Sequence, residues 1–129
     1  MTIELKMLAL SIVLGFAHVL IAIRAVTRQY GNRWNMGPRD AIMPPLEPIP
    51  GRLDRARANF LETFPFFAAA VLIAHVAGRD GMLTALGVQL YFWARLVYLP
   101  LYAFGIPKFR TLVWIIAMAG ILLILVALA

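Results

Sequence analysis

Four long apolar runs constrain this chain more than any other feature: Met7–Ile23, Phe60–Ala77, Met82–Phe104 and Leu112–Ala129. Each is 17 residues or more. A helix rising 1.5 Å per residue needs about 17–25 residues to cross a ~30 Å hydrocarbon core. The runs do not alternate apolar with polar residues, so they read as helices rather than barrel strands. The expected fold is an all-α integral membrane four-helix bundle, one domain over residues 1–129. Its spans are predicted at about 7–24, 60–77, 82–104 and 111–128, with a cytoplasmic loop at about 25–58. Composition agrees: 63% of residues are hydrophobic and 14% charged, where a soluble domain averages roughly 45–50% and 25%. The chain has no cysteine, which excludes a disulfide scaffold, a thiol nucleophile, a thiolate zinc site and an iron–sulfur cluster. His18 and His75 have no second ligand at metal spacing, so no metal site is expected; both are predicted to hydrogen-bond within the bundle.

The first run is long and preceded by Glu4 as well as Lys6, unlike the clean positive start of a signal peptide. It is expected to be kept as the first helix. Arg24, Arg28, Arg33, Arg39, Arg52, Arg55 and Arg57 follow it, and Lys108 and Arg110 lie between the third and fourth runs; Lys6 and Arg79 alone fall on the other side. Nine basic residues against two predict a cytoplasmic long loop and both termini outside. The localisation this implies is an integral membrane one with the long basic loop on the cytoplasmic side. The formal charge of +6 is thus a matter of membrane orientation, and nucleic acid is not an expected partner. The segment Met43–Gly51, with four prolines, is predicted to be non-helical. Pro65 and Pro100 are expected kinks, Gly15, Gly87 and Gly120 allow close helix contact without a GxxxG pattern, and the tryptophans and most phenylalanines are expected to face lipid or the membrane interface.

Charges inside a membrane helix are costly and point to function. Arg52, Arg55, Asn59 and Glu62 fall within an arc of roughly 80° on one helix, and Tyr91, Arg95, Tyr98 and Tyr102 within roughly 60° on another. Asp54 and Arg57 lie off the first of these faces. One reading is structural: Glu62 and Arg95 pair to hold two helices together. The other starts from charge. Glu62 alone cannot balance Arg52, Arg55, Arg95 and Arg110, so the stripes call for an external anion, either a small ligand or a lipid phosphate. Asn59 and Glu62 add acceptors for an ammonium group, which suits a zwitterion with surplus carboxylates.

The run from Arg52 to Phe67 (RLDRARANFLETFPFF) resembles the signature RxxRAxxNxxExxPxF of the MAPEG proteins, the membrane-associated proteins in eicosanoid and glutathione metabolism. Ala94-Arg95-Leu96-Val97-Tyr98 through Tyr102, with Gly105 and Arg110, is similar to that family's second signature, and the four-span layout extends the resemblance over the whole chain. The first motif is specific, the second moderately so.

The resemblance implies a homotrimer binding glutathione between neighbouring subunits near the cytoplasmic face. It implies that Arg52, Arg55, Asn59, Glu62, Arg95, Tyr98 and Tyr102 form the glutathione site, with Arg24 or Arg28 reaching in from the next subunit. Arg110, with Tyr102, is implied as the catalytic pair that stabilises the thiolate, although spacing leaves Lys108 open for the same role. Thr63 stands where some members have Tyr, and Arg57 where the residue can be uncharged. The implied activity is that of a glutathione transferase or peroxidase acting on hydrophobic electrophiles from the bilayer. The alternative is a non-catalytic lipid-binding or scaffolding subunit; a small proton-coupled exporter is disfavoured because Glu62, the one span carboxylate, lies near the cytoplasmic end beside arginines.

Overall fold

The structure, a computed structural model, describes residues 1–129. It contains α1 (Ile3–Tyr30), a short α2 (Asn32–Met36), α3 (Pro48–Val76), α4 (Met82–Ala103) and α5 (Pro107–Ala127). Four of these helices are long and apolar enough to cross a membrane, so the all-α four-helix membrane bundle is as expected.

Local signals set the helix ends. Thr2 caps α1, its hydroxyl accepting from the Leu5 amide at 3.3 Å. Helices α3 and α4 both end on a left-handed glycine, Gly78 (φ 68°) and Gly105 (φ 70°). At each, the next residue's amide reaches back five residues: Arg79 to Ala74 at 2.8 Å and Ile106 to Leu101 at 3.0 Å. This closure satisfies end carbonyls and suits glycine because the conformation crowds a Cβ.

The long loop is shorter than expected. Residues 25–30 continue α1, and α3 starts at Pro48, ahead of the Arg52 face already read as helical. The segment predicted to be non-helical is therefore helical over Pro48–Gly51. Proline lacks only a donor that the first turn leaves free, and its fixed φ suits that turn; the Gly51 amide already closes it, bonding Glu47 O at 2.9 Å. Residues 37–47 carry no regular structure. They are tied to α1 by Gln29, whose side chain donates to Pro45 O at 3.0 Å and accepts from the Glu47 amide at 2.8 Å. Pro65 and Pro100 stay inside continuous helices.

Helices α3 and α4 form the middle of the bundle; α1 packs on both from one side and α5 on both from the other, with no α1–α5 packing. The α4–α5 contact is the most extensive. It is possible because Gly87 and Gly120 meet backbone to backbone: a Cβ on either would lie 2.6 Å from the other's carbonyl oxygen. The core is aromatic at mid-height. Phe67 stacks on Tyr91 with centroids 3.9 Å apart, and the Tyr91 hydroxyl shares a 3.0 Å hydrogen bond with Thr63.

Of the eight phenylalanines, Phe16, Phe66, Phe104 and Phe109 are exposed and Phe64 half-buried, while Phe60, Phe67 and Phe92 are buried. Helix periodicity places the buried three on faces that look into the bundle. Val13, Leu20, Val76 and Trp93 add to the exposed apolar surface, as a lipid-facing exterior requires.

At the end of the bundle opposite the arginine cluster, buried Glu4 accepts from the Thr84 hydroxyl at 2.7 Å, and Thr84 Oγ1 in turn accepts from the Gly81 amide at 2.8 Å. Helix α1 is thereby latched to the start of α4. Thr84→Val keeps the shape but strips a donor from a buried carboxylate. We expect it to cost about 1–3 kcal/mol, read as a lower midpoint of thermal unfolding in detergent. Ligand binding at the arginine end, about 27 Å up α4, should not change.

Candidate functional site

At the basic end, α3, α4 and α5 bring most of the predicted site residues together. Tyr102, near the end of α4, is the centre. Its hydroxyl accepts from Arg55 Nε at 3.1 Å, and the Arg110 guanidinium lies 4.6 Å from its ring centroid. Tyr98, one turn earlier, packs 5.5 Å from Tyr102. Asn59, Tyr98, Tyr102, Arg110, Thr111 and Trp114 line a cleft of about 290 Å³. Helix phase explains the assembly: Tyr98 and Tyr102 are an i, i+4 pair, as are Asn59 and Arg55, and such pairs share a face. The α4–α5 turn at Gly105 then folds Arg110 back over the same ring.

Arg95 stands behind the cleft rather than in its lining. It is fully buried, with 0% exposure, and Nη1 donates to Asn59 Oδ1 at 2.8 Å. Its guanidinium lies 4.3 Å from the Tyr98 ring centroid and 5.4 Å from that of Phe60. Arg95 therefore holds one residue of each wall, Asn59 on α3 and Tyr98 on α4. With its Oδ1 engaged, Asn59 leaves its amide NH₂ free to donate.

Arg52 braces the roof. Nη1 points to Ala103 O at 3.5 Å, and its guanidinium lies against Gly105, where a Cβ would come within 2.9 Å of Cζ.

Two predicted residues sit apart. Glu62 is exposed and forms no ion pair; Asp54 pairs with Arg57 at 3.0 Å, and Asp80 hydrogen-bonds His75 at 2.8 Å. The Glu62–Arg95 bridge entertained from sequence is thus absent, because Asn59, one turn nearer the basic end of α3, takes Arg95 instead. Arg28 lines a separate cleft of about 660 Å³ with Arg24, Gln29, Glu47 and four apolar residues between α1 and the start of α3. Lys108 is exposed and outside the Tyr102 cleft, whereas Arg110 lines it.

Thr111 and Trp114 were not predicted for the site. Trp114 lies four residues after Arg110, and that i, i+4 spacing was the available signal; the apolar character of α5 masked it.

The two histidines also depart from expectation. His75 bonds Asp80 at the exposed end of α3 rather than within the bundle. His18 is buried, yet neither ring nitrogen has a hydrogen-bond partner; its neighbour is the Phe60 ring, stacked at 4.8 Å. No group of three or more His, Asp or Glu side chains could hold a metal.

Fold and cleft together define a helical membrane protein with a cationic, tyrosine-lined site at one end of its bundle. The chain belongs to the MAPEG family, whose model matches residues 7–129. That membership places it among membrane proteins of glutathione or eicosanoid-related function. No curated protein matches it.

Proposed function

We propose that this chain is a glutathione-dependent enzyme of the membrane, a transferase or peroxidase that binds glutathione at the Tyr102 cleft and activates its thiol. One observation carries the reading: Arg55 and Arg110 converge on Tyr102 with no carboxylate among the cleft residues. Cations gathered without a counter-charge at a membrane edge favour an anionic guest.

The chemistry of glutathione answers that arrangement. Its two carboxylates suit guanidinium forks, with Arg55, Arg52 and the free amide of Asn59 as donors, and Arg95 holding Asn59 and Tyr98 in place. The exposed Glu62 carboxylate would meet the ammonium group. The free thiol, with a pKa near ~8.5, is mostly protonated at neutral pH, and an adjacent guanidinium favours the thiolate. Arg110 has that role in our reading, with the Tyr102 hydroxyl as hydrogen-bond donor. In conjugation the thiol proton passes to water and the thiolate forms a bond to carbon of an apolar electrophile. The leaving group departs with its bonding electrons.

A cleft of about 290 Å³ is at the lower edge of the roughly 300–1,000 Å³ usual for ligand sites. This supports a site completed across a subunit interface, with Arg28 contributed by a neighbouring copy in a homotrimer. Lipid would supply both the solvent for the bundle and the route for a hydrophobic small-molecule substrate. The charge bias supports an orientation with the cleft at the cytoplasmic side of a bacterial inner membrane and both termini outside.

Purified protein in detergent should bind glutathione, raising its unfolding midpoint in a concentration-dependent way. Arg55→Ala should abolish that rise at matched concentration. A wild-type midpoint insensitive to glutathione, but raised by anionic phospholipid, would instead favour the non-catalytic lipid-binding reading.

A further inference from the structure

Deep in the bundle, behind the cleft, two buried polar side chains from different helices lack hydrogen-bond partners at most of their donor and acceptor atoms. Arg95 on α4 uses Nη1 on Asn59, while Nε and Nη2 are buried and unpartnered. His18 on α1 is 1% exposed, and neither Nδ1 nor Nε2 has a partner. Both rest on the same ring: His18 stacks on Phe60 at 4.8 Å, and the Arg95 guanidinium lies 5.4 Å from that centroid. A buried polar group without a hydrogen bond costs free energy, and a charged one costs more.

A guanidinium is donor only, so its free N–H groups need acceptors. The nearby candidates are few. Tyr91 and Thr63 bond each other, and Asn59 already accepts from Arg95. The interior face of α1 presents Glu4, Ser11 and His18 as its polar residues. Glu4 is engaged at the far end with Thr84, and the Ser11 hydroxyl donates to its own helix at Met7 O. A neutral imidazole offers one acceptor and one donor, so the one α1 side chain level with Phe60 that can serve Arg95 is His18.

We propose that His18 is the second hydrogen-bond partner of Arg95 and a positioning residue for the anion cleft. A small turn of either side chain, or one internal water, completes the bond. The link gives α1 a hand in a site otherwise built by α3, α4 and α5. His18 fixes the guanidinium plane, Arg95 fixes Asn59 and Tyr98, and these two line the cleft. Phe60 sets the height at which the two polar groups meet. The functional half of this inference rests on the glutathione reading; the His18–Arg95 link itself does not.

The test therefore has two readouts on full-length protein in detergent. The first is a double-mutant cycle of thermal unfolding with His18→Phe and Arg95→Met, without ligand. Phe preserves stacking on Phe60 and deletes both nitrogens. The link predicts that His18→Phe lowers the midpoint in the wild-type background and leaves it unchanged or higher in the Arg95→Met background. A midpoint raised by His18→Phe in both backgrounds overturns the proposal, because His18 would then be only a buried polar burden. Should His18→Phe fail to fold, the same cycle is run with His18→Leu.

The second readout is glutathione affinity. His18→Phe should weaken it about tenfold, the loss of one hydrogen bond to a charged group. His18→Gln, which restores an acceptor without the ring, should recover it to within about twofold. Unchanged affinity in His18→Phe overturns the positioning role. Absence of glutathione binding by the wild type counts against the functional reading, while the thermal cycle still decides the link.

Discussion

Arg110→Ala is expected to shift the pH–rate profile for conjugation of glutathione to a small aromatic electrophile by about one to three units toward alkaline pH. The sign follows from charge. A guanidinium beside the sulfur favours the thiolate and so lowers the bound thiol's pKa below its free value of about 8.5; without the cation the value returns upward. At neutral pH the variant should lose about ten- to thirtyfold in rate, the ratio of the thiolate fractions with and without the cation, and recover most of it above the free thiol's pKa. Lys108→Ala is the built-in comparison, since Lys108 lies outside the cleft that Arg110 lines. A profile that Arg110→Ala leaves in place would remove Arg110 from the sulfur and with it the proposed means of activation. Affinity for the glutathione carboxylates, assigned to Arg55, Arg52 and Asn59, should change far less than the rate.

The second large effect concerns the bundle. Gly87→Ala and Gly120→Ala each place a methyl 2.6 Å from the opposing carbonyl oxygen, and at Gly87 also 2.8 Å from Ile124 Cγ1. Such a contact obliges two helix backbones to separate, because the obstacle is main chain and cannot rotate away. Overpacking of this kind costs typically about 1–3 kcal/mol, and here it falls on the most extensive helix pair. Either variant should lower the unfolding midpoint in detergent clearly, and the leucine variants should not assemble a stable bundle. Tyr102 is on α4 and Arg110 on α5, so prying these two helices apart would also swing Arg110 away from Tyr102. Glutathione binding should therefore fall together with stability, unlike the selective loss expected of Arg55→Ala. A Gly87→Ala protein as stable as the wild type would show that α4 and α5 are not in backbone contact.

Much of the site was legible because helical periodicity turns spacing into geometry. Arg55 with Asn59, and Tyr98 with Tyr102, share faces through i, i+4 spacing alone, and the structure places all four beside one another. Arg95 was legible as a buried charge, but not its position behind the cleft: a one-dimensional stripe says which face a residue occupies, not how far it penetrates. The same limit hid the fate of Glu62, whose expected partner Arg95 is taken by Asn59 one turn away. The choice between Lys108 and Arg110 also needed the turn at Gly105, which directs the start of α5. Trp114 was obscured because an apolar helix looks alike on its lipid and cleft faces.

The sequence by itself determined the architecture: four apolar runs too long for anything but membrane helices, and charges distributed so unevenly that one end of the bundle must carry them. Solvent imposes these, since a lipid core admits only self-satisfied backbone and excludes unpaired charge wherever it can. The partners of each polar group were decided by the tertiary structure alone. Whether Arg95 met Glu62 or Asn59, whether His18 met a donor or a phenyl ring, and how closely Gly87 approached Gly120 depend on the rotation and depth of each helix against its neighbours. Those are fixed by packing across the bundle, by contacts between residues tens of positions apart that no local pattern encodes.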